Sequence, residues 1–265
     1  MPERPDRTEP AGSDVLNIFR LRDRTAVVTG ASSGLGNRFA RVLAGAGATV
    51  YAAARRTDRL LELAASASGI RPVRCDVSSE ADRVALVDLA LAETGRIDIL
   101  VNNAGVAGTA CAEDEDALDF SAVLNVNVLA AFHLSKLAAE HMGEVGSGSI
   151  INVASVLGLV SGAPMGGAGY SASKGALLAL TRELAGQWGQ MGVRVNALAP
   201  GWFRTEMTDG VFAKAESSSW VAGNTILNRA GMDGELDGAL LFLASDASSY
   251  CTGQAIVVDG GWTAR

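Results

Sequence analysis

Several short runs of this sequence are apolar from end to end, among them AVVTG beginning at Ala26, ILVNN at Ile99 and AIVVD at Ala255. A strand with one wet face alternates polar and apolar residues. A strand without alternation has both faces covered, which is the condition of a parallel sheet held between two layers of helix. The remainder of the chain keeps the same rhythm, with strands predicted at 25–29, 49–53, 73–75, 97–101, 149–153, 193–197 and 255–258. Between them, apolar residues at helical spacing predict helices at 35–46, 59–67, 80–93, 117–142, 173–188 and 235–244. This repeated order predicts an α/β fold, a doubly wound parallel sheet of about seven strands with helices on both faces. Such sheets bind ligands beyond the carboxyl ends of their strands, so the residues just after each strand are the functional candidates.

Composition sets the outer limits. With 48% hydrophobic and 19% charged residues the 265-residue chain has the make-up of a folded protein. Residues 1–17 hold Pro2, Pro5 and Pro10 among charged neighbours, which predicts a flexible tail ahead of one domain at 18–265. A net charge of −7 without any Lys/Arg run is repelled by phosphate backbones, so no nucleic-acid partner is expected. The opening MPERPDRTEP lacks the apolar stretch of a signal peptide, and no segment reaches about 18 uninterrupted apolar residues. The expectation is a cytoplasmic protein with no membrane partner. Cys75, Cys111 and Cys251 are odd in number and form no CxxC pair, as reduced thiols would. His133 and His141 share one predicted helix with no cysteine nearby, so no metal site is expected. The long excursion at 205–228, carrying Met207, Phe212, Trp220 and Ile226, leaves from the predicted ligand edge and reads as a substrate lid, with a surface insertion as the alternative.

The first strand runs into Thr29-Gly30-Ala31-Ser32-Ser33-Gly34-Leu35-Gly36, after which an amphipathic helix begins. Glycine permits a tight turn and close approach of backbone to ligand, and the amides and dipole at the helix start suit a pyrophosphate. Taken alone the turn is equally a steric device, since its spacing is neither GxGxxG nor a P-loop. Farther on, Tyr170 and Lys174 lie four apart, which places them on one helical face about one turn apart. A phenol titrates near pH 10, and a neighbouring ammonium lowers it toward usefulness as a proton donor and acceptor. YxxxK also arises where a tyrosine merely packs and a lysine extends to solvent.

In order along the chain, TGxxxGxG at Thr29–Gly36, NNAG at Asn102–Gly105, YSASK at Tyr170–Lys174 and PG at Pro200–Gly201 resemble the short-chain dehydrogenases/reductases, over Phe19 to the C-terminus. The resemblance implies a Rossmann-type fold, a nicotinamide cofactor, and interconversion of a secondary alcohol and a ketone on a small molecule. It implies cofactor contacts at Gly30, Ser32, Ser33, Gly34, Leu35 and Gly36 in the turn, Asp76 and Val77 beside the adenine, Asn103 and Gly105 on the ribose side, and Tyr170 and Lys174. Pro200, Gly201, Phe203 and Thr205 would lie near the nicotinamide. The second strand ends AAARR, without the carboxylate that an NAD site offers to the ribose 2′-hydroxyl. Arg55 and Arg56 can instead clamp a 2′-phosphate, so NADP is the expected cofactor, NAD being accepted if both arginines are simply solvated.

The resemblance also implies catalytic roles for Asn127, Ser155, Tyr170 and Lys174: Ser155 binding the substrate oxygen, Tyr170 passing the proton, and Asn127, preferred over Asn125, steadying a water between lysine and solvent. Tyr170 follows Ser155 by fifteen positions, about two more than in most relatives, and the glycine-rich stretch 161–169 absorbs the excess. Ser161 is the competing serine. GWFRTEMT and VDGGWTA resemble the gluconate 5-dehydrogenase type of sugar-acid and polyol dehydrogenases, where Arg204 would meet a carboxylate; an apolar pocket of Trp202, Met207, Phe212 and Trp220 for bulky ketones is the other possibility. A 3-oxoacyl carrier-protein reductase and a non-catalytic NADP-binding sensor are the remaining alternatives. Relatives commonly form homotetramers through two long central helices, here 117–142 and 173–188.

Overall fold

The computed structural model describes residues 15–109 and 111–265. Most of the predicted tail, 1–14, lies outside the described residues, and Val15–Phe19 form a 3-10 helix rather than a continuation of it. Seven strands follow: β1 Thr25–Thr29, β2 Thr49–Ala54, β3 Ile70–Arg74, β4 Ile99–Asn102, β5 Gly148–Val153, β6 Val193–Pro200 and β7 Ala255–Val258. All neighbours pair in parallel, in the order β3-β2-β1-β4-β5-β6-β7. The order reverses direction between β1 and β4, which opens the crevice where doubly wound sheets bind ligands.

The helices are α1 Gly34–Gly45, α2 Thr57–Ser66, α3 Glu80–Thr94, α4 Ala117–Leu124, α5 Ala130–Val145, α6 Ala168–Trp188, α7 Asp209–Phe212, α8 Ala215–Gly223 and α9 Asp237–Ala244. They explain the unbroken apolar runs. Ala26 and Val28 of β1 join a core with Phe39 and Leu43 of α1, Leu60 and Leu63 of α2, and Leu240 and Leu243 of α9. Val27, pointing the other way, joins Leu86 of α3, Leu134 and Met142 of α5 and Leu184 of α6. Full burial of each such side chain contributes roughly 1.5–3 kcal/mol, and both faces of the sheet collect it.

Four differences from the sequence reading are visible. β3 starts at Ile70, three residues early, because Pro72 looks like a breaker yet sits on an edge strand, where a missing N–H is tolerated. α6 starts at Ala168 rather than 173: Gly169 N–H donates to Glu115 Oε2 at 2.8 Å, a cap supplied from another part of the chain. The 205–228 excursion is ordered as a 3-10 turn at Glu206–Thr208 followed by α7 and α8. The predicted helix 117–142 extends to Val145 and is interrupted by a π turn at Asn125–Leu129. By length and composition Ala117–Val145 could cross a membrane, but here Ala130, Leu134, Ala138 and Met142 are buried against the sheet.

Candidate active site

A cavity of about 470 Å3 opens at the carboxyl ends of the strands. Every residue expected from the sequence to touch the cofactor lines it: Gly30 and Ser32 to Gly36, Arg55, Arg56, Asp76, Val77, Asn103, Gly105, Tyr170, Lys174, Pro200, Gly201, Phe203 and Thr205. Ser155 lines it too. Asn127 does not; it is buried behind the wall.

The glycine turn is shaped by close packing. Gly30 has φ +68°, and a Cβ at Gly36 would come within 2.4 Å of the Gly30 carbonyl oxygen. Asn103 Nδ2 donates to the Thr29 carbonyl at 2.9 Å, while Thr29 Oγ1 accepts from the amides of Asn103 and Ala104 at 3.1 Å each. NNAG therefore buttresses the TG turn, a role for Thr29 that spacing alone did not reveal. Ser33, the N-cap residue of α1, makes no side-chain capping bond, so the amides of the first turn face the cavity uncapped by it. That is the donor set a pyrophosphate needs, so the residues present fit a dinucleotide.

At the adenine end, Asp76 accepts from the amide of Ser78 at 3.0 Å and its hydroxyl at 2.7 Å. Those bonds hold its carboxyl below the usual range. Its carboxylate is thus committed to the turn that follows β3. Cys75, Ala54 and Ser78 also line this end and carry no sequence signal of their own. Burial pushes the Cys75 thiol up to about 11, which leaves it a packing residue.

At the chemical end, Lys174 is 4% exposed, and Nζ donates to the Val153 carbonyl at 2.7 Å. Its ammonium is 5.5 Å from the centre of the Tyr170 ring. Burial lowers Lys174 from its ordinary 10.5 to about 8. Burial raises Tyr170, and a hydrogen bond with Ser155 opposes that rise. Ser155 Oγ also accepts from the Leu157 amide at 3.1 Å, which fixes the serine at the end of β5. Ser161 is exposed, accepts from the Ala163 amide at 3.2 Å, and is absent from the cavity wall, so Ser155 is the serine brought to the tyrosine.

Asn127 joins three elements. Its Oδ1 accepts from the Val106 amide at 2.8 Å, and its Nδ2 donates to the Val106 carbonyl at 3.0 Å and to Ser173 Oγ at 2.9 Å. The π turn thus clamps the segment after β4 to the residue beside Lys174. Arg204 lies outside the main cavity, on the wall of a neighbouring one, with its guanidinium 4.7 Å from the centre of the Phe212 ring. Trp202 packs edge-on against Trp220 at 6.0 Å and also meets Trp262 at 5.9 Å. Of the expected apolar pocket, only Met207 reaches the main cavity. Glu206 and Thr208 line it as well, and the sequence reading had passed over both.

Residues 30–263 match a family model described as enoyl-(acyl carrier protein) reductase. The chain is 37% identical to a short-chain type dehydrogenase/reductase of known structure from Mycobacterium marinum, with a TM-score of 0.90 over 95% of this chain and all of that one. It belongs to the short-chain dehydrogenase/reductase family. It is accordingly an oxidoreductase acting on CH–OH groups. Among the family's curated members, the 2-dehydro-3-deoxy-D-gluconate 5-dehydrogenase of Dickeya dadantii (strain 3937) is 36% identical over 259 residues, 95% of this chain and 100% of that one. A gluconate 5-dehydrogenase from Burkholderia cenocepacia J2315, solved with NADP and tartrate, is 35% identical with a TM-score of 0.89, covering 95% of this chain and 100% of that one.

Proposed function

We propose that this protein is an NADP-preferring dehydrogenase/reductase that interconverts a secondary alcohol and a ketone, with a sugar acid or polyol as the favoured substrate class. The observation that carries the reading is the meeting of Ser155, Tyr170 and Lys174 on the wall of one cavity with the glycine turn and the Arg55–Arg56 pair. Two of the relatives support the substrate class, since both are named as gluconate-type 5-dehydrogenases and one is solved with NADP and tartrate. Residues 18–265 act as one domain, and the helical segment after β6 is read as the substrate lid. The protein is cytoplasmic and homotetrameric in this reading.

A bound nicotinamide ring supplies or takes up the hydride. The chain's own residues do the rest. In the reducing direction Ser155 Oγ and Tyr170 Oη hold the carbonyl oxygen, and Tyr170 donates its proton as negative charge develops there. Lys174, a cation at neutral pH, favours the tyrosinate left behind. Asn127 holds the wall from which Lys174 is reached, as a positioning residue. The amides of the glycine turn bind pyrophosphate, and Arg55 and Arg56 receive the 2′-phosphate.

The test is NADPH and NADH consumption over a panel of keto-sugar acids, polyol-derived ketones and aryl ketones, run beside Tyr170→Phe. Turnover with NADPH on a polyhydroxylated ketone is expected, and the variant should bind cofactor normally while losing roughly 10²–10⁴-fold in kcat. A variant with undiminished turnover would remove Tyr170 from the chemistry.

A further inference from the structure

The arginine assigned to the 2′-phosphate already holds an anion. Arg56 Nη2 donates to Glu206 Oε2 at 2.8 Å and to Ser33 Oγ at 2.7 Å, and Ser32 Oγ accepts from its Nε and Nη2 at 3.2 Å each. Glu206 is the first residue of the 3-10 turn after β6, and the adjacent Thr205 is held against the glycine turn, its Cβ lying 3.2 Å from where a Gly34 Cβ would stand. The carboxylate therefore stands on the wall of the cofactor cavity beside Arg56, carried by the turn after β6. Both partners are half exposed, Arg56 at 44% and Glu206 at 46%. Such a pair exchanges readily with a stronger competitor in water.

We propose that Glu206 is a cofactor-selectivity residue, an intramolecular rival of the 2′-phosphate for the Arg56 guanidinium. The inference rests on the NADP reading given above. A phosphate dianion that takes the Arg56 fork must displace the Glu206 carboxylate, since two anions on one guanidinium repel each other. An NAD ribose, with a neutral hydroxyl in that place, leaves the ion pair intact. Glu206 thus lowers affinity for NADP and leaves NAD untouched, which narrows the preference that Arg55 and Arg56 create. Glu206 is a carboxylate at neutral pH as any ordinary glutamate is, and the hydrogen bonds from Arg56 and Ser33 lower its pKa further.

The experiment is fluorescence titration of the whole protein with NADPH and with NADH, for the native chain, Glu206→Gln, Arg56→Ala and the double variant, at low and high salt. Glu206→Gln is expected to tighten NADPH binding roughly three- to tenfold, to change NADH binding by less than about twofold, and to lose most of its gain at high salt. In the Arg56→Ala background the gain should fall to less than half. Equal tightening of NADH, no tightening of NADPH, or a gain undiminished without Arg56 would each overturn the proposal. If Arg56→Ala weakens NADPH binding while Glu206→Gln does not tighten it, only the rivalry fails. If Arg56→Ala leaves NADPH binding unchanged, the NADP reading falls and the rivalry with it.

Discussion

Lys174 is a buried cation whose cost to the fold can be read against pH. Its pKa falls from the ordinary 10.5 to about 8 because burial disfavours the charged form. Between those two values the unfolded chain binds more protons than the folded one, so stability rises with pH through that window. Below the folded value both states are protonated, and the full cost of the buried charge remains. Lys174→Met lacks the titrating group, so the native chain should gain on the order of 2 kcal/mol relative to it between pH 7 and about pH 9.5. Urea unfolding of both proteins at the two pH values checks this, and a flat difference would show that burial does not perturb the lysine. The same burial keeps Tyr170 protonated in this state, which suits its part as proton donor in the reducing direction.

The π turn at Asn125–Leu129 interrupts the long helix between α4 and α5. A helical period ran through this stretch of the sequence without a break, so the extra residue in the turn was invisible, although Asn127 itself stood out by its motif. The turn lets Asn127 reach the Val106 backbone and Ser173 together. Asn127→Ala would leave the Val106 amide and carbonyl without that partner and should destabilise the protein by about 2–4 kcal/mol. Chemical denaturation measures the loss, and kcat should fall with it because the strand end and α6 are no longer tied. A stable, fully active variant would make the clamp irrelevant. What sequence showed and hid follows the same logic. β1 and β7 were legible to the residue, because their apolar runs are bounded by turn residues. The start of α6 was hidden because its cap, Glu115, belongs to another segment. Glu206 was hidden for the same reason: its meaning lies in Arg56, which the fold brings to it from 150 residues away in the chain. The glycine turn, Ser155, Tyr170 and Lys174 were readable because several motifs stand in the order of the short-chain dehydrogenases/reductases, each too weak by its own spacing to decide.

At the scale of the whole molecule, α4 and the start of α5 expose large apolar side chains. Leu129 and Phe132, about one helical turn apart at the start of α5, are 49% and 42% exposed, and Leu118 on α4 is 80% exposed. The opposite side of α5 is buried against the sheet, and on its outer side the first turn is apolar before Lys136, Glu140 and Glu144 follow. With a net charge of −7 for the chain, a cluster of apolar side chains on an otherwise acidic protein fits burial against another copy, where self-complementary faces of a symmetric pair meet. The homotetramer proposed above would use such a face on its long helices. Sedimentation should then give a species of about four chain masses. Phe132→Glu places a carboxylate in the contact, where an unpaired charge loses its hydration without compensation. The variant should sediment as a smaller species, with cofactor affinity unchanged because no cavity residue is altered. If Phe132→Glu sediments like the native chain, the apolar face of α5 lies outside the contact; if the native chain is a monomer, the assembly itself is absent.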